Sequence, residues 1–322
     1  TGGGINTTSG DFSGARGGDA GDIDVTARDS IFLTNKGGPR FELGGPVSGI
    51  FSVTIGGGKA GTIALVAPQI TGTEGAIVAS STIGGGAGGN VTLSADRIRI
   101  TNGGFVDTTT LPLFDRDIPL APGGDAGNVT LNAKSIQVGG ANAYDEPSYV
   151  ASRSLELGSG FMDLGDAGDV TLRAQNLLLF DRGSVTTIAD QTNADQINGG
   201  NITIHAQNLV HLDAGKITSS VSGGTGGNIT IDPVFVILEN GSGIEATAVT
   251  GHGGAIRITT DNFFAFPLNV VSATSGDQTL SGTVEIHSPD VNLAGSLTPL
   301  PSTFLDAASL MRERCSARRH GE

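Results

Sequence analysis

Two stretches hold most of the side chains that could do chemistry. The first, TTTLPLFDRDIPLAPGG from Thr108 to Gly124, carries Asp115, Arg116 and Asp117. The second, GGANAYDEPSYVASRSLELGSGFMDLGD from Gly139 to Asp166, carries Tyr144, Asp145, Glu146, Tyr149 and Arg153. Tyr144 and Tyr149 are the only tyrosines in the chain. Acidic and basic groups beside aromatic rings are the ingredients of a glycan groove. A glycosidase further needs two carboxylates at a set separation. Polar insertions are also tolerated on protein surfaces at little cost. The eight residues are therefore candidates for glycan contact, and no catalytic residue is assigned among them.

Other constellations are weaker. His205 and His211 fall on what the pattern makes consecutive strands, yet no cysteine or carboxylate completes a ligand set around them. Asn90, Asn128, Asn201 and Asn228, with Asp22 and Asp169, share one position of a repeat. Such a column reads as turn residues bonding local backbone, or as a side-chain stack, rather than as a metal ladder. GGGKAGT, from Gly56 to Thr62, lacks the Lys-Ser/Thr ending and the helix of a phosphate loop. No G-x-S-x-G or HExxH motif is present. The sequence thus points to no enzyme, no metal and no cofactor.

The elements that would position these residues are set by a repeat. GDIDV from Gly21, GTIAL from Gly61, GNVTL from Gly89 and Gly127, GDVTL from Gly168, GNITI from Gly200 and Gly227, GAIRI from Gly254 and GTVEI from Gly282 are nine copies of one phrase. Their spacings are 40, 28, 38, 41, 32, 27, 27 and 28 residues. The unit is therefore 27–28 residues, and the longer intervals contain loops. Within a unit, a first apolar pair (Val91 and Leu93) precedes a small residue (Ala95) and a second pair (Ile98 and Ile100). A β-branched residue (Val106) and a small or hydroxylated one (Thr108) follow. This alternation specifies three short strands bounded by Gly, Asn and Asp turns.

Three short strands cannot bury their inner faces alone, but stacked units can. The expected fold is all-β: a right-handed parallel β-helix of about ten coils over residues 1–300. At ~4.8 Å between paired strands, it makes a rod of about 45–50 Å. Insertions are expected near 36–56, 108–124, 139–166 and 189–198. From Ser302 the pattern STFLDAASLMRER turns helical, with Thr303 and Asp306 placed as a capping box. Residues 301–322 are thus expected to form a short helical cap over the open sheet edge.

Composition narrows the partners. The formal charge is -14, from 18 basic and 32 acidic residues. That balance argues against nucleic acid and anionic membrane surfaces, which require a basic patch. No apolar run reaches the roughly 18 residues of a membrane helix, so no membrane insertion is expected. Glycine, at 52 residues, has no three-residue period, which excludes collagen. Cys315 is the single cysteine and cannot form an internal disulfide. The opening TGGGINTTSG has the character of a piece of a longer protein or of a mature chain.

The segments GGNVTLSADRIRITNGGFVDTTT and GGNITIHAQNLVHLDAGKITSSVSGGTGGNITI resemble the repeats of filamentous haemagglutinin-like exoproteins of two-partner secretion systems, in their cyanobacterial form. The terminal LPSTFLDAASLMRERCSAR is similar to the end of those proteins. The resemblance covers essentially the whole chain. It implies a secreted or surface-held adhesive rod of a Gram-negative-type bacterium, exported through an outer-membrane barrel transporter and acting in adhesion or aggregation. Cell-surface glycans or a neighbouring cell would be its contacts. The family's N-terminal secretion domain, which meets the transporter, is not among these residues, and the family has no catalytic motif to carry over. The alternative is a pectate-lyase-like carbohydrate-active enzyme or glycan-binding module using the 108–166 loops.

Overall fold

A computed structural model describes residues 4–10, 17–35, 48–115, 118–156, 164–190 and 197–289. The chain divides into a large unit, Thr1–Ser288, and a small one, Pro289–Glu322. The expected cap at 301–322 lies outside the described residues.

The large unit is all-β, and nearly every strand pairs in parallel. One nine-stranded sheet contains Gly4–Ser9, Gly49–Ile55, Ile77–Ile83, Phe105–Leu111, Tyr149–Leu155, Ser184–Asp190, Lys216–Val221, Gly243–Ala248 and Val270–Ser272, in that order. These are the third strands of successive repeat units. The first and second strands make the other large sheet, of fifteen strands. Among the described residues the chain makes eight complete circuits. A lone third strand, Gly4–Ser9, precedes them, and a lone first strand, Val284–His287, follows.

Register is what the repeat dictates. Val129 pairs with Val91 on one side and Val170 on the other, and Val106 pairs with Val78 and Val150. Each alternating apolar residue therefore meets its own counterpart one circuit away. Together they form one continuous interior from Ile23 to Ala273, in which Val91, Leu93, Ile98, Val106, Leu131 and Leu172 are fully buried. Each such side chain contributes about 1.5–3 kcal/mol of burial.

The anchoring glycine is a matter of space. A Cβ at Gly89, Gly127 or Gly168 would sit 2.1, 2.1 and 2.2 Å from the carbonyl oxygen of the preceding anchor. No side chain fits that approach. The hydroxyl recurring on the third strand supports the same corner. The hydroxyls of Ser80 and Thr187 donate to the carbonyls of Gly61 (2.7 Å) and Gly200 (3.0 Å). Ser152 donates to Gly127 (2.8 Å) and accepts from the Gly168 amide (2.8 Å), so it ties two circuits together.

Three details differ from the sequence expectation. In two circuits the first and second strands are continuous, Val170–Phe180 and Ile202–Asp213, and their ladder stays paired through the bend at Ala174 and Ala206. His205 and His211 therefore lie on one strand, not two. The insertions are also shorter than the intervals suggested. Gly49–Ile55, Phe105–Leu111 and Tyr149–Leu155 are full members of the nine-stranded sheet, because their alternate residues face the core. The first long insertion instead contains a small antiparallel hairpin, Leu113–Asp115 with Ile118–Ala121.

Candidate functional site

The outward face of the nine-stranded sheet is unusual at its third-strand pair Phe105–Leu111 and Tyr149–Leu155. Phe105, Asp107 and Thr109 point away from the core, as do their register partners Tyr149, Ala151 and Arg153. Yet Phe105, Asp107 and Ala151 are almost wholly buried. Strand alternation alone would leave such a face wet.

Arg153 closes on Asp107 through both its Nη2 and its Nε, the latter bonding Oδ1 at 3.3 Å. Thr109 donates its hydroxyl to Asp107 Oδ2 at 2.8 Å. Arg153 Nη2 also donates to the Tyr149 hydroxyl at 3.0 Å, and the guanidinium carbon lies 5.0 Å from the centre of that ring. Tyr149 in turn stacks on Phe105, with centroids 4.9 Å apart and planes 18° from parallel. Burial works to discharge the guanidinium, but Asp107 and then Tyr149 outweigh it and hold Arg153 more firmly protonated than usual. Two-point contact with a carboxylate suits arginine and not lysine.

The other candidates fall in the turn before that strand. Asn142 organises it: its Oδ1 accepts from the amides of Tyr144 (3.0 Å) and Glu146 (3.1 Å), and its Nδ2 donates to Glu146 Oε2 (2.6 Å). Asp145 sits at the tip with φ of 63°. Its Oδ1 accepts from Arg182 Nη2 at 2.5 Å, which holds the Asp145 carboxyl below its ordinary range and the Arg182 guanidinium above its own. Tyr144 is exposed. Asp115 lies on the hairpin strand Leu113–Asp115, and Arg116 and Asp117 lie outside the described residues.

The candidates thus separate into two groups with different work. Tyr149 and Arg153 stand on a strand, not in the insertion, and form a packed staple with Phe105 and Asp107. Asp145 and Glu146 shape a turn and bond Arg182 and Asn142. Phe105 and Asp107 were not singled out by sequence. The one available signal was a carboxylate at an outward strand position immediately before the hydroxyl of Thr108.

The shared Asn/Asp position is a ladder of side chain to backbone. Oδ1 of Asp22, Asn90, Asn128, Asp169, Asn201 and Asn228 each accepts the amide of the equivalent residue one circuit on, at 2.7–3.0 Å. A second ladder runs three residues earlier, from Asp19 to Lys59, Asp125 to Asp166 and Asp166 to Asn198. His205 pairs with Asp232 (2.7 Å) and His211 with Glu239 (3.5 Å), each one circuit away. Among the described residues no group of three His, Cys, Asp or Glu is placed to hold a metal ion. No helix among them is long and apolar enough to cross a membrane. No family model, curated protein or solved structure matches the chain.

Proposed function

We propose that this chain is a stiff adhesive rod: a stretch of right-handed parallel β-helix, about ten coils long, from a large exported surface protein of the filamentous haemagglutinin-like kind. The observation that carries the reading is a pair of unbroken parallel ladders, one from Gly4–Ser9 to Val270–Ser272 and one from Ile23–Thr26 to Val284–His287, sealed by one apolar interior. Right-handed winding follows from the chirality of parallel crossovers, which nearly all share that hand. Such a stack spends its residues on length and continuity, with insertions displayed along its flank. Export through an outer-membrane barrel and a role in adhesion or aggregation rest on the resemblance of the repeat and terminal segments. The rod would hold its contact surfaces away from the cell.

The test combines shape with adhesion. Solution scattering from the chain should give an elongated particle about 45–50 Å along the stack. Beads coated with it should adhere to glycan-coated or cellular surfaces more than bare beads do. A compact scattering profile, or coated beads that adhere no better than bare ones, would refute the reading.

A further inference from the structure

A second surface, away from the insertions, has the form of a site. Where the first strand bends into the second, a shallow, open cleft with about 680 Å³ of space runs across five successive circuits, from Ser94 to Asp232. Its long axis follows the stack and crosses the strands. Asn132, Arg173 and His205, which pair in register, form one wall. Gln175 and Gln207 stand on the other, and Ala133 and Ala174 lie between.

The backbone beneath is already committed. The amides of Gln175 and Asn176 both go to the Lys134 carbonyl (3.0 and 3.1 Å), and those of Lys134 and Ser135 both go to Asp96 (3.0 and 3.1 Å). A ligand in the cleft is therefore read by side chains. Those side chains are the carboxamides of Asn132, Gln175 and Gln207 and the guanidinium of Arg173, planar groups that can bond neighbouring hydroxyls, while the His205 ring is held by Asp232. The charges in the cleft balance, Lys134 and Arg173 against Asp96 and Asp232, and Lys134 bonds Asp96 at 2.8 Å. A polyanion or polycation gains nothing from such a balance. An extended peptide recognised by strand addition would need free backbone along a sheet edge, and here the direction is perpendicular to the strands.

We propose that this cleft binds an extended, uncharged polysaccharide lengthwise, with one sugar facing each circuit. Polar groups recur along it at the strand spacing, about 4.8 Å. An extended pyranose chain advances by nearly that distance per sugar. The alanines, packed against the interior, leave room for the sugar ring between the two rows of polar side chains. One additional residue at the bend of Ile202–Asp213, where Ala174 pairs with Ala206 but Asn176 with Leu209, brings Gln207 forward at the end of the cleft. Bulges commonly re-aim side chains in this way. The inference rests on the adhesive-rod reading and names its ligand class and site.

The test is titration of the full 322-residue chain with neutral β-linked gluco- and xylo-oligosaccharides of two to six sugars, followed by calorimetry. Affinity should rise with length to about five sugars, one for each circuit of the cleft, and then level off. Arg173→Ala with Gln175→Ala, both exposed, should weaken it about tenfold or more, with thermal unfolding unchanged. Ala133→Leu should obstruct the cleft and weaken binding too. No binding at any length would overturn the proposal, as would equal binding by these variants or a loss confined to Tyr144→Ala. Bead adhesion separates this failure from that of the rod. Wild-type beads that adhere, and adhere equally after the double substitution, defeat the cleft alone. Wild-type beads that do not adhere defeat the rod.

Discussion

Arg153 and Arg182 each close on an aspartate distant in sequence, Asp107 and Asp145. The first pair lies on the sheet, with the aspartate side chain 3% exposed and the arginine 21%. The second pair lies over a turn, at 82% and 49%. The chemistry is the same and the surroundings are not. In the first, water has been removed and the charges rely on each other, on Thr109 and on Tyr149. In the second, water solvates each partner whether or not the other is present. Distance alone would rank the two pairs together, whereas burial separates them.

The largest effect expected from this contrast is at Asp107. Asp107→Ala leaves a buried guanidinium without its counter-charge and should cost about 3–5 kcal/mol, measured by urea unfolding. Replacing both partners, Asp107→Leu with Arg153→Met, should recover most of that loss. If the double variant is as unstable as the single one, the pair was not what held this face.

Tyr149→Phe keeps the stack on Phe105 and removes the hydroxyl that accepts from Arg153. It should cost about 1 kcal/mol, well below the effect at Asp107. A larger loss would mean that the hydroxyl, rather than the carboxylate, positions the guanidinium.

Asp145→Asn and Arg182→Ala are expected to leave the unfolding midpoint unchanged at neutral pH and moderate salt. The pH dependence has a definite sign. The Asp145 carboxyl is held low in the folded state, so any stability it supplies is present above its unfolded pKa and lost as pH falls through the folded one. The two proteins should become indistinguishable at acid pH, and a wild-type advantage that grew there would contradict the assignment. Added salt should remove whatever difference low salt reveals.

The stacked parallel architecture was legible because it repeats. Nine Gly-anchored phrases fixed the circuits, and alternation placed Val91, Leu93, Val106 and their counterparts inside. The Asn and Asp column was legible as a stack, and the small or hydroxylated residue after the β-branched one, as at Thr108, as a recurring position. The partner of Arg153 was not legible. Asp107 lies 46 residues away, and only the strand register brings the two side chains together. Nor could periodicity show that two bends stay hydrogen-bonded, since the alanine at the bend is common to broken and continuous circuits. The boundary between insertion and strand was blurred for a related reason. Interval lengths count added residues without saying where they enter, so spacing alone puts Tyr149 and Arg153 in a loop.

The ladder has a mechanical consequence. Among the described residues the parallel strand pairings between circuits join neighbours along one axis, so tension on that axis loads the terminal circuit first. Extension should therefore proceed by peeling, one circuit at a time, and not by a single global rupture. A regular circuit of 27 residues would release roughly 90 Å of chain, and the 41-residue interval after Gly127 roughly 140 Å. The order of long and short steps along a force trace would then read out the order of insertions along the stack.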